Sequence, residues 1–235
     1  MEVLEEIIFG KGYCLVDTNN IGALRDIQEQ LINLVCKHKK LQEVTDIEGL
    51  REKLKSLSGN EINHVMLSLL SFTSLSSMLV EAFSDTVVKL AGEKLFLQRR
   101  SHVMFNVSGF KDNAVAPHID GMSGVSPFTF ILWTPAHEID DESGIWLWDQ
   151  ERTMKHLQEE SEKKTVMGDY LLSTTEKEPI RLKFGEAVIF NPFVLHGSLA
   201  HNNSLSRIGF SCRFQSQNHP LFIRNSEFYY PYHLG

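Results

Sequence analysis

The chain has 235 residues, 42% hydrophobic and 23% charged, which is enough apolar material for one well-buried domain and excludes a disordered or membrane-embedded composition. Its 23 basic residues against 30 acidic ones give a formal charge of −7, the wrong sign for a surface built to grip nucleic-acid phosphates. The start Met-Glu-Val-Leu-Glu-Glu is acidic where a secretory signal is basic, and no apolar run approaches the roughly 20 residues that span a bilayer. These features predict a cytoplasmic protein with no membrane or nucleic-acid partner.

Residues 12–17 read as a short strand, because Tyr13, Leu15 and Val16 favour extended backbone and Thr18-Asn19-Asn20 supplies a turn and helix start. Over 21–39 the apolar residues Leu24, Ile27, Leu31, Ile32, Leu34 and Val35 recur mainly three and four apart, which describes an amphipathic helix. The charged stretch to Gly59 is half helical by the same reading, and 61–91 suits two helices. From Leu95 the texture changes to short β-rich runs at 95–97, 103–107, 128–133, 145–148, 187–190 and 208–211, separated by Gly, Pro and Asn. That pattern belongs to a β-sandwich or barrel. Residues 149–164 interrupt it as a surface helix or long loop. With no repeat and no linker, 1–235 is expected to be a single domain, 1–94 a mostly helical support with one N-terminal strand and 95–235 a β core.

The chemistry concentrates in His118-Ile119-Asp120, with His196 78 residues later and Arg207 11 residues beyond that. In a strand, alternate side chains share a face, so His118 and Asp120 point at one cation while Ile119 turns away. Pro117 before the triplet and Gly121-Met122-Ser123-Gly124 after it place the pair at a strand end, open to a ligand. His196 arrives from a distant strand lying beside the first. Two imidazoles and one carboxylate occupy three adjoining corners of an octahedral metal and leave three for other ligands, the set used by non-haem Fe(II) oxygenases. The guanidinium of Arg207, on the next strand, suits a carboxylate on a co-substrate. Arg213 competes for that role, being six residues on and therefore on the same strand face.

Other polar residues on the β runs are candidate helpers. Gln98, Asn106 and Thr129 are placed to hydrogen-bond a co-substrate, and Ser198 or Ser211 to support its carboxylate. Arg99 and Arg100 alternate across their strand, so one of them either faces the cavity and meets an anionic substrate group or closes a rim salt bridge. His102, His137, His156, His201 and His219 lack partner spacing and read as core or surface residues, and Asp140-Asp141-Glu142 as a solvated turn. Cys14, Cys36 and Cys212 are widely spaced and read as reduced thiols.

At this level the chain resembles the Fe(II)- and 2-oxoglutarate-dependent dioxygenases with a double-stranded β-helix core, and among them the phytanoyl-CoA dioxygenase-like group. The likeness lies in the Gly-Tyr-Cys-Leu-Val strand, His118-x-Asp120, Glu142-Ser143-Gly144-Ile145-Trp146, Gly185-Glu186-Ala187-Val188-Ile189-Phe190 and Leu195-His196-Gly197-Ser198. Small members associated with carbohydrate or natural-product gene clusters are similar in size. The resemblance implies a mainly β fold with flanking α-helices, a jelly-roll, cupin-like core, and His118, Asp120 and His196 as iron ligands. It further implies that Arg207 holds the distal carboxylate of 2-oxoglutarate. A small-molecule substrate and O2 are then the partners, with succinate and CO2 as co-products. Asp120 favours hydroxylation, since halogenating relatives carry a small residue there. The rivals are a cupin-like isomerase or hydrolase that needs no 2-oxoglutarate, and a non-catalytic binding module on the same fold.

Overall fold

The computed structural model describes residues 3–107, 115–139, 144–163, 179–198, 205–223 and 226–235. After a short helix α1 (Val3–Ile8) and strand β1 (Tyr13–Asp17), the chain builds helices α2 (Ile21–Val35), α3 (Ile47–Leu54), α4 (Gly59–Ser68), α5 (Leu75–Ala82) and α6 (Ser84–Ala91). Helices α2, α3 and α4 are each started by a side chain that accepts an orphan backbone N–H. Asn20 caps α2 and Asp46 caps α3, and Ser58 with Glu61 forms a reciprocal capping box on α4. The expected helix at 21–39 ends at Val35, and 61–91 holds three helices where two were expected. The two breaks fall at Phe72 and at Phe83, where the backbone leaves helical angles although the apolar spacing runs on.

Strands β2 (Lys94–Gln98), β3 (His102–Asn106), β4 (Phe130–Pro135), β5 (Ile145–Leu147), β6 (Glu186–Phe190), β7 (His196–Ser198), β8 (Arg207–Ser216) and β9 (Tyr229–His233) follow, with helix α7 (Gln150–Lys163) between β5 and β6. The large antiparallel sheet runs β1-β6-β4-β8-β2-β9, with β3 paired to the first half of β8. A small sheet of β5 and β7 is widened by bridges of His118 to His196 and of Trp146 to Pro179. This is a jelly-roll with flanking helices. Strand β9 pairs only with β2 and carries Pro231 opposite Phe96, an edge where a residue without an N–H is tolerated. Of residues 149–164, α7 is a helix with Thr153, His156 and Glu160 on a buried face.

Period-two alternation on β8 divides the interior. Ile208, Phe210, Cys212 and Phe214 join the core packed under the helices with Leu79, Phe83 and Leu97. Arg207, Gly209, Ser211, Arg213 and Gln215 take the other face, into the barrel. There Trp133, Val188, Phe190, Ile145 and Leu147 form a second apolar cluster between the sheets. The helices therefore back the large sheet and leave the barrel mouth to the loops and to α4. Among the described residues no single helix is long and apolar enough to cross a membrane. The three cysteines are free, and Cys212 is buried.

Candidate metal centre and cavity

His118 and His196 form a hydrogen-bonded antiparallel pair: the His118 N–H donates to the His196 carbonyl at 2.9 Å and the His196 N–H to the His118 carbonyl at 3.1 Å. Directly opposed residues of such a pair project to the same face, so the two rings lie with centroids 4.1 Å apart. This places His196, from a segment distant in sequence, beside the first histidine. The triplet itself is not a regular strand. Ile119 is extended (φ −121°, ψ 118°) and buried, but Asp120 already opens a 3₁₀ turn running to Ser123. One extended residue is enough to bring His118 and Asp120 to a common side. The turn is held by the Gly121 N–H donating to Pro192 at 2.8 Å, and a Cβ at Gly121 would come within 3.2 Å of the Phe193 ring.

One nitrogen or oxygen from each of His118, Asp120 and His196 lies within 4.8 Å of the others, the cluster of metal-ligating type found among the described residues. Each histidine is oriented by the same device. His118 Nδ1 faces the Ala116 carbonyl at 2.9 Å and His196 Nδ1 the Val194 carbonyl at 3.1 Å, so both rings are fixed by Nδ1–H and turn Nε2 to the common point. Burial, and after it the neighbouring His118, pushes His196 down to about 4, which keeps its lone pair available at neutral pH. Burial pulls His118 down too, but the Asp120 carboxylate and the Ala116 carbonyl outweigh it and raise the ring. Asp120 is 2% exposed; burial opposes its charge, yet His118 and Arg213 hold its carboxyl well below the usual carboxylate range. Two neutral-capable imidazoles and an ionised carboxylate are the donor chemistry a divalent non-haem metal needs.

The triad opens on a cavity of about 290 Å³ whose walls include Met104, Ile131, Trp133, Phe190, Ser198 and Ser211. Arg207 lies behind this wall. It is 2% exposed, donates to Ser198 Oγ at 2.9 Å and stands over the Trp133 ring at 5.7 Å. Burial lowers its guanidinium to about 10, still charged at neutral pH. Arg207 does not run alongside His196, as the sequence suggested; β8 belongs to the large sheet and β7 to the small one, so the two residues face each other across the barrel. Asn106 is the register partner of Arg207 and shares its face. Ser198 and Asn106 are thus brought to Arg207. Gln98 and Thr129 are not: Gln98 accepts from the Arg213 N–H at 3.0 Å, and Thr129 meets Gln215 at 3.4 Å, both far along β8 from Arg207.

The structure also brings in Arg213, whose Nη2 and Nε reach Asp120 Oδ1 and Oδ2 at 2.9 and 3.2 Å. Its parity on β8 signals that it faces inward; nothing in the sequence signals the partner. His137 is a core residue, His156 pairs with Glu160 at 3.3 Å, and His219 stacks on Phe128. His201 and residues 140–143, including the Glu142-Ser143 part of one motif, lie outside the described residues.

No protein-family pattern and no curated protein matches the chain by sequence. Solved structures match it in three dimensions. EctD from S. alaskensis with 2-oxoglutarate and 5-hydroxyectoine superposes with a TM-score of 0.56 at 13% identity, covering 94% of this chain and 78% of that one. The epimerase SnoN in complex with Fe3+, alpha ketoglutarate and nogalamycin RO gives 0.52 at 12%, covering 91% and 82%. HygX from Streptomyces hygroscopicus with iron bound gives 0.51 at 9%, covering 92% and 87%. At such identities the likeness is one of fold, and the fold of this chain is the jelly-roll of the non-haem iron and 2-oxoglutarate enzymes.

Proposed function

We propose that the protein is a cytoplasmic Fe(II)- and 2-oxoglutarate-dependent oxygenase that hydroxylates a small-molecule metabolite, a carbohydrate or natural-product intermediate, with release of succinate and CO2. The observation that supports this most is the combination, in one barrel, of a convergent His–Asp–His set with a buried guanidinium on the facing sheet. His118, Asp120 and His196 are the iron ligands in this reading, and bound iron supplies O2 activation coupled to oxidative decarboxylation of 2-oxoglutarate. Arg207 takes the distal carboxylate as a bidentate fork, strengthened by its removal from water, with Ser198 and Asn106 beside it. Trp133, Ile131 and Phe190 exclude water from the reacting centre. Placement in the phytanoyl-CoA dioxygenase-like branch rests on Leu195-His196-Gly197-Ser198 and on the 11-residue interval to Arg207.

Anaerobic addition of Fe(II) and then 2-oxoglutarate is expected to produce a weak visible charge-transfer band, and air is expected to release succinate. Neither band nor succinate would sink the reading. Because SnoN is an epimerase on the same fold, product mass decides the outcome: one added oxygen means hydroxylation, an unchanged mass with an inverted centre means epimerisation.

A further inference from the structure

A second, outer chamber of about 670 Å³ adjoins the metal cavity, and His102 and Arg213 line both. Among the described residues its wall carries two guanidinium groups, Arg100 and Arg213, and no carboxylate, beside apolar surface from Leu70, Val125 and Ile223. In a chain of net charge −7 this is a local reversal of sign, and a concave, partly apolar wall focuses such a field on an entering anion.

The two arginines after β2 have parted. Arg99 donates to the Glu227 carbonyl at 2.9 Å and lies over the Tyr230 ring, whereas Arg100 faces the chamber and makes no hydrogen bond or ion pair among the described residues. Arg213 uses Nε and Nη2 on Asp120, and its Nη1 edge has no bond among the described residues. On the reading of the inner cavity proposed above, a divalent metal and Arg207 are matched by Asp120 and the two carboxylates of 2-oxoglutarate, which leaves Arg213 and Arg100 in excess. Arg213 is mostly buried and Arg100 exposed, and among the described residues no acidic side chain lines the chamber, so its positive wall is left for an anion that enters.

We infer that the primary substrate carries an oxyanion, a carboxylate or a phosphate ester, which docks in the outer chamber between Arg100 and Arg213, with its apolar part against Leu70, Val125 and Ile223. Arg213 touches the metal-binding carboxylate, so the acid group sits close to the carbon that is oxidised. Arg100 acts at the mouth as the specificity-determining cation.

The test is calorimetric titration of benzoate and phenyl phosphate, with benzamide and benzyl alcohol as neutral counterparts, into the protein without metal or 2-oxoglutarate. Its result therefore stands whatever the charge-transfer titration gives. At least one acid is expected to bind and neither neutral probe, and the tighter acid tells carboxylate from phosphate. Arg100→Ala should weaken the acid about fivefold, Arg100→Lys should recover most of that, and Arg100→Glu should abolish binding. Arg100 is exposed, so these variants are expected to fold. Failure of both acids, equal binding of the neutral probes, or a loss produced by Arg207→Ala and not by Arg100→Ala would overturn the inference.

Discussion

Arg213 forks onto both oxygens of Asp120, Nη2 to Oδ1 at 2.9 Å and Nε to Oδ2 at 3.2 Å, so one buried carboxylate serves a guanidinium and faces the metal position at once. Two cations that share an anion oppose each other: Arg213 keeps Asp120 ionised when metal is absent and repels metal when it arrives. Replacing Arg213 with Met leaves Asp120 buried beside His118 alone, which should destabilise the metal-free protein by about 2–4 kcal/mol, the guanidinium being partly exposed. Metal then compensates the orphaned carboxylate, so Mn(II) or Co(II) should raise the melting temperature of the variant by more than that of the wild type. A smaller rise in the variant would mean that Arg213 aims the carboxylate for the metal and does not compete with it.

Arg207 offers the complementary measurement. Truncating one partner of a buried, hydrogen-bonded charge pair costs roughly 2–5 kcal/mol. Arg207→Met should therefore weaken 2-oxoglutarate, read by the charge-transfer band, by about two orders of magnitude while Mn(II) binding stays at the wild-type level. Arg207→Lys should recover part of the loss, since it keeps the charge but not the fork. Unchanged 2-oxoglutarate affinity in Arg207→Met would move the anchor to Arg213, and no 2-oxoglutarate binding in either protein would favour the isomerase or hydrolase reading.

The contrast between these arginines marks how far the sequence reaches. Parity on β8 places 207 and 213 on one face, and His118, Asp120 and His196 are recognisable because metal ligation demands particular residue types at extended-strand spacing. Strands β2 to β6 and the first half of β8 announce themselves through β-branched and aromatic runs, whereas β7, His196-Gly197-Ser198, carries no such run. What parity does not contain is the curvature of the sheets, which sends Arg207 toward Ser198 and Arg213 toward Asp120. Gln98 and Thr129 have the right chemistry but lie too far along the ladder from Arg207, a distance fixed by long-range register. Strand β9 was hidden by Pro231, which reads as a breaker and is tolerated because β9 is an edge. The breaks near Phe72 and Phe83 were hidden because apolar spacing continues through them.

Gly209 links fold to site. It lies on the barrel face of β8, and a Cβ there would stand 2.7 Å from Trp133 Cζ2 and 3.0 Å from Cε2. Trp133 is 2% exposed and walled in by neighbours, so the indole has little room to yield. Gly209→Ala should cost about 1–3 kcal/mol by overpacking. Because the displaced ring stands over Arg207, 2-oxoglutarate binding should weaken as well, by several-fold. Urea denaturation and the charge-transfer titration check the two parts, and a variant with wild-type stability would show that Trp133 moves freely.

His137 gives the fold a pH dependence separate from the metal site. Its Nδ1–H donates to the Glu138 carbonyl at 2.8 Å, and Nε2 accepts the Ile208 N–H at 3.0 Å, so the neutral ring is fully used. Burial, and then the Arg51 charge, lowers it from 6.5 to about 4. The sign follows from proton uptake: between those values the unfolded chain binds a proton that the native ring refuses, so stability is complete above pH 6.5 and falls as the pH drops toward 4. The loss should be on the order of 3 kcal/mol across that window and then level off. In His137→Gln this component disappears. The stability difference between wild type and variant, from urea denaturation of the metal-free proteins, should therefore be largest above pH 6.5 and shrink steadily in acid. A difference that stays constant with pH would mean that the ring takes its proton without breaking the bond from Ile208.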